Sequence, residues 1–178
     1  MLTLGNSIDY LSIQGIPWVL GAWVGLILLR PFATFVHEVG HIIPALLFTK
    51  QEVFIRVGQN GSKWNGKVGN ILWEFNIMNG NEGFSGYDKA SLNKVSLFIV
   101  ISGGLLSSFS MACITGWQIF GNHHPIWIEA LLVSWFCANA LVFIRSVIPL
   151  RLKPTNSFPE GPPSDGLELK KIIFGKKR

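Results

Sequence analysis

Apolar residues gather in long stretches along this chain, with polar residues gathered between them. Residues 11–29 are apolar almost throughout, Arg30-Pro31 follows, and a second apolar run continues to Thr49. Leu97 to Phe120 and Ile126 to Leu150 complete the set. From Pro31 to Lys50 is about 28 Å at 1.5 Å per residue, close to one hydrocarbon thickness. Residues 31–49 are therefore expected to form one span, with Arg30 and Lys50 at opposite interfaces. Proline removes a helical hydrogen bond. Residues 11–29 are thus either a separate span or the other half of one long bent helix. The expected fold is mainly α: a polytopic membrane protein with three or four transmembrane helices.

Residues 50–95 follow a different pattern. Glu52–Val57 and Asn70–Ile77 favour strand, and in the second Ile71, Trp73, Phe75 and Ile77 alternate with Leu72, Glu74 and Asn76. Asn60-Gly61, Asn65-Gly66 and Asn79-Gly80 are turn dipeptides. A small antiparallel sheet or hairpin is expected between the first long helix and the next. An exposed strand edge there would suit pairing with an extended peptide.

Composition supports the membrane reading. Charged residues make up only 14% of the chain, against roughly 25% in ordinary soluble domains. At 178 residues the chain is expected to be one domain, residues 1–178. Its net charge of +5 does not point to nucleic acid, because the basic residues are segregated: six in residues 50–95 and eight in residues 145–178. The first ten residues and the 121–125 turn hold none. An even number of spans separates the basic loop from the basic tail, so both lie on one side, expected to be the cytoplasm of a cell-membrane protein. Cys113 and Cys137 fall within apolar segments and read as small core residues.

The chemistry concentrates in His37-Glu38-Val39-Gly40-His41. Histidines four apart share one helix face, so both imidazoles can reach one metal ion. Zinc favours such ligands and keeps a position open for water in catalytic sites. Glu38 is then placed to act as the general base. Ionisable groups inside a span are costly and mark function. A third ligand is still required. The longer metzincin motif is excluded, because Leu47 stands where its third histidine belongs and Pro44 lies within the interval. The downstream carboxylates on the same side are Glu52, Glu74, Glu82, Asp88, Glu160, Asp165 and Glu168. Asp165 stands out among them, between the rigid Pro162-Pro163 pair and Gly166. His123 and His124 lie at the opposite face and read as interfacial. Ser102, Gly103, Gly104, Ser107 and Ser108 are small residues suited to close helix packing. Asn139 either pairs between helices or faces the site.

With these residues in view, the chain resembles a compact member of the site-2 protease family of intramembrane zinc metalloproteases. The resemblance covers roughly residues 31–170. It rests on His37, Glu38 and His41, then Gly103-Gly104, then Ser146-Val147-Ile148-Pro149, then Ser164-Asp165-Gly166. Gly104 stands where the family has proline, and Ser146 where it has asparagine; Asn156-Ser157-Phe158-Pro159 is a second match to the asparagine motif. The resemblance implies a Zn²⁺ cofactor on His37, His41 and Asp165, with Glu38 catalytic. It further implies Ser146 or Asn156 at the substrate carbonyl, where Asn139 of the last span is a further candidate, and a membrane-spanning protein or peptide as substrate. The alternative is a zinc-binding membrane adaptor without activity.

Overall fold

The computed structural model describes residues 15–58, 64–77, 80, 82–154 and 159–175. The Asn60-Gly61 turn, Asn79 and Asn156 lie outside the described residues. Helix α1 runs unbroken from Ile16 to Thr49. Residues 16–29 are therefore not a separate span. The chain loses one hydrogen bond at Pro31, but a full break would strand several more backbone groups in an apolar setting. Near the proline, the Thr34 hydroxyl donates to the Arg30 carbonyl at 3.1 Å. Lys50 ends the helix in the left-handed conformation, φ 53°, and its N–H bonds to the Leu46 carbonyl.

Two more long helices follow: α2, Lys94–Gly121, and α3, Ile126–Val147. All three are long and apolar enough to cross a membrane. Helix α2 begins at Asn93, whose side chain accepts from the Ser96 N–H. Its direction follows from its contacts with α1. Ser107 bonds the Val36 carbonyl, Ser108 meets His37, and Val100 meets His41. Residue numbers rise in one helix as they fall in the other, so α2 is antiparallel to α1. Helix α3 is parallel to α1: Ser134 bonds the Ala22 carbonyl and Ser146 meets His37. The α1 and α2 backbones touch at Gly40 and Gly103. A Cβ on Gly40 would lie 2.8 Å from the Ser107 Cβ, and one on Gly103 would lie 3.0 Å from the Gly40 carbonyl carbon. Small residues permit this approach.

Between α1 and α2 lies a four-stranded sheet in the order β2-β3-β1-β4. The strands are β1 Val53–Val57, β2 Trp64–Val68, β3 Ile71–Phe75 and β4 Gly83–Gly86. The expected antiparallel sheet is in fact mixed, because β1 and β3 run parallel while β4 pairs with β1 and β2 with β3 antiparallel. Asn65-Gly66 is not a turn: both residues lie within β2, opposite Glu74 and Trp73. Gly66 serves packing there, since a Cβ would stand 2.7 Å from the Trp73 ring. The chain turns at Gly69-Asn70 instead, with Gly69 at φ 57°.

The sheet packs along α1. Val53 and Ile55 join Ile42, Ala45 and Val100 in one buried cluster. Nearer the middle of α1, the Phe75 ring lies 5.3 Å from Phe32 and 5.9 Å from Phe35, and Gly80 sits against Pro31. After α3 the chain runs through a short bridge between Arg151 and Pro163 into α4, Asp165–Phe174.

Candidate metal centre

Three side chains from two distant parts of the chain converge inside this frame. His37 and His41 come from α1, one turn apart, and both are buried. Asp165 is the first residue of α4. The His37 Nε2 lies 3.0 Å from Asp165 Oδ2, and the His41 Nε2 lies 3.5 Å from the same oxygen. The two Nε2 atoms are 3.3 Å apart. A tetrahedral ion with bonds of about 2.0–2.1 Å has ligands about 3.3–3.4 Å apart. The three separations scatter around that value. Among the described residues these three form a group able to hold a metal ion.

The far side of each imidazole is also engaged. His41 Nδ1 lies 2.9 Å from the Val100 carbonyl, which can only accept, so this nitrogen carries the proton. In the neutral ring Nε2 is then left with its lone pair facing inward. His37 Nδ1 lies 3.0 Å from the Ser108 hydroxyl, itself fully buried. Contacts of this kind orient metal-binding histidines and set their tautomer. Gly104 supports the His41 ring from beneath: a Cβ there would come within 2.8 Å of its Cδ2. Two imidazole nitrogens and a carboxylate meeting in a buried space need a proton or a cation between them.

Asp165 is held from several directions. Ser164 caps α4 by accepting from the Leu167 N–H at 3.2 Å. The same hydroxyl donates to the Ile148 carbonyl at 2.7 Å and accepts from the Leu150 N–H at 3.2 Å. It thereby ties the end of α3 to the start of α4. Gly166 lies against the Val147 backbone. One turn on, Glu168 takes the Lys89 ammonium with both oxygens, at 2.7 and 2.9 Å. Burial alone would raise the Asp165 carboxyl, but the His37 and His41 imidazoles outweigh it and hold it well below the usual range.

Four of the remaining acidic candidates are occupied elsewhere. Glu52 pairs with Lys67, Glu74 with Arg56 at 3.0 Å, and Glu160 with Arg151 at 3.1 Å. Asp88 caps a single turn by accepting from the Ala90 N–H.

Glu38 is buried beside the histidines, only 7% exposed. Strand β4 covers it: Gly83 lies so close that a Cβ would reach within 2.8 Å of the Glu38 carboxyl carbon. Strand β4 is an edge strand, bonded to β1 on one side only among the described residues.

Of the three residues expected near a substrate carbonyl, Ser146 reaches the group: its Oγ lies 3.3 Å from His37 Nε2. Asn139 does not. It is seven residues earlier in α3, about 10 Å along the helix, and its amide donates back to the Trp135 carbonyl at 2.9 Å. Its Oδ1 has no partner among the described residues.

Two functional neighbours were not foreseen as such. Ser108 was expected only to pack closely, but it bonds His37. Tyr87 follows β4, and burial together with the Glu168, Asp165 and Glu38 carboxylates pushes its phenol above the ordinary range. It therefore stays a neutral O–H beside the site. Its place directly after Ser85-Gly86 was the one available signal. No protein-family model, curated protein or solved structure matches this chain.

Proposed function

We propose that this chain is a zinc-dependent intramembrane endopeptidase of the site-2 protease type, hydrolysing peptide bonds in membrane-spanning proteins. The observation that carries the reading is the triangle of His37, His41 and Asp165 atoms, with edges of 3.0, 3.3 and 3.5 Å, next to a buried Glu38. Two imidazoles and one carboxylate are the ligand set of hydrolytic zinc sites. They also suit ferrous iron, but a buried carboxylate beside the first histidine favours hydrolysis.

Zinc bound there would supply a Lewis acid for the scissile carbonyl and make water acidic enough to lose a proton near pH 7. The chain's own residues would do the rest. His37, His41 and Asp165 hold the ion. Glu38 takes the proton from the attacking water and delivers it to the leaving amine as the C–N bond breaks. The Ser146 hydroxyl donates to the substrate carbonyl oxygen, the role for which the family resemblance suggests an asparagine. A helical substrate protects its carbonyls by internal hydrogen bonds. The outer edge of β4, lying over Glu38, would receive a locally extended segment by strand pairing and present one bond. The segregation of basic residues favours a site opening toward the cytoplasm.

The test uses purified full-length protein in nanodiscs with a membrane-spanning peptide substrate. Wild type should carry one zinc and cleave. Glu38→Ala should keep the zinc and lose cleavage, and His37→Ala should lose the zinc. Full activity in Glu38→Ala would overturn the proposal. Zinc without cleavage in wild type would make the chain a metal-binding adaptor, and iron in place of zinc would redirect the chemistry.

A further inference from the structure

Helix α4 has two ends with different surroundings. Its start is fixed at the metal centre by Ser164, Gly166 and Glu168. Its far end rests on little: α4 has no buried residue, Ile173 is 58% exposed and Phe174 77% exposed. Lys170 and Lys171 stand exposed on the same turns. The sequence continues with Lys176-Lys177-Arg178, so residues 170–178 carry five basic groups and no acidic one. Exposed apolar side chains interleaved with lysines would be a liability in open water. Such a helix end suits the headgroup region of a membrane, with its apolar groups among the acyl chains and the lysine stems reaching past them to carry their ammonium groups to phosphates. Glu168 pairs with Lys89, which lies just before α2 begins, so this part of α4 lies toward the end of the bundle where α1 stops and α2 starts.

We propose that the far end of α4 docks on anionic phospholipid headgroups, with Lys170 and Lys171 at the phosphates and Ile173 and Phe174 inserted beneath them. Charge selects the occupant. A zwitterionic surface offers the same apolar interior but no net attraction for the lysines, and each lysine near an anionic surface adds to binding within a Debye length. The inference rests on the three apolar helices and on α4 itself, not on the identity of the metal.

Hydrogen–deuterium exchange of the full chain tests it, in nanodiscs of phosphatidylcholine alone and of phosphatidylcholine with phosphatidylglycerol. Amides of residues 170–175 should exchange several-fold more slowly in the anionic discs. The gain should vanish in high salt and in Lys170→Glu/Lys171→Glu, while amides of α1–α3 stay unchanged. Equal exchange in the two lipids would overturn the proposal. So would protection that survives high salt, a result that needs no variant. Protection that appears only at two chains per disc would assign the surface to a second copy and likewise overturn it.

Discussion

Gly104→Ala is the sharpest probe of the metal centre, because it adds one methyl group directly beneath a ligand. The new Cβ would stand 2.8 Å from His41 Cδ2, with Nε2 and Cε1 closer still. Carbon atoms pack at about 3.5–4.0 Å, so about 0.7–1.2 Å must be found. The backbone of α2 has little room to yield, since Gly103 is already against the Gly40 carbonyl. The His41 ring therefore moves, breaking its bond to the Val100 carbonyl or carrying Nε2 away from Asp165. Overpacking of this kind costs about 1–3 kcal/mol of stability. The effect on the metal is larger, because ligand distances tolerate only about 0.2 Å. Zinc affinity, measured by competition with a chromophoric chelator, should fall at least ~100-fold, the upper end of losses seen when only an outer partner of a ligand is removed. Gly116→Ala is the matched control on the same helix: its Cβ would meet Phe136 at 3.4 Å, an ordinary contact. It should bind zinc as wild type does. If Gly104→Ala bound zinc with unchanged affinity, either the ring does not lie on Gly104 or His41 is not a ligand.

Three further outcomes are expected. Ser108→Ala removes the partner of His37 Nδ1 and should weaken zinc about 10–100-fold in the same competition assay while leaving helicity intact by circular dichroism. Ser164→Ala removes the cap of α4 and its link to α3. It should cost about 1–2 kcal/mol in thermal unfolding, and zinc should protect this variant less than it protects wild type. Zinc affinity should fall as pH is lowered, because each imidazole must shed a proton to ligate. The fall should come from the histidines, since the Asp165 carboxyl is held below the usual range and stays ionised longer; titration in Asp165→Asn should keep the acid limb while starting from weaker binding.

How much of this could be read in advance depended on the range of each interaction. The pairing of His37 with His41 was legible because about four residues make one helical turn, which fixes one above the other wherever the helix goes. Asp165 was legible because Pro162-Pro163 and Gly166 mark a forced turn beside a carboxylate. Strands β1 and β3 showed in their strand-favouring residues, and β3 also in its alternation. Their parallel pairing did not, since it depends on β2 folding back between them in sequence but outside them in space. Strand β4, Gly-Phe-Ser-Gly, has almost no strand propensity and exists because β1 offers an edge and Glu38 leaves room only for glycine. Asn65-Gly66 looked like a turn for the reason that Gly66 is there at all: a missing side chain, used for the Trp73 ring rather than for backbone freedom. The continuity of α1 through Pro31 reflects the cost of exposing backbone, which local propensity does not contain. Ser108 meets His37 only through packing across 71 residues, and Tyr87 comes near the group only through the fold of the sheet.

The separation of the ligands along the chain also sets an order of events. Asp165 follows His37 by 128 residues. At roughly 5–20 residues per second, the two histidines of a nascent chain would wait about 6–25 s for their partner. During that interval α1 and α2 can meet, yet nothing completes the site. The His37–His41–Asp165 group is thus completed only after the segment beyond α3 has emerged. A chain interrupted anywhere before residue 165 would carry two of the three candidate ligands and lack the third.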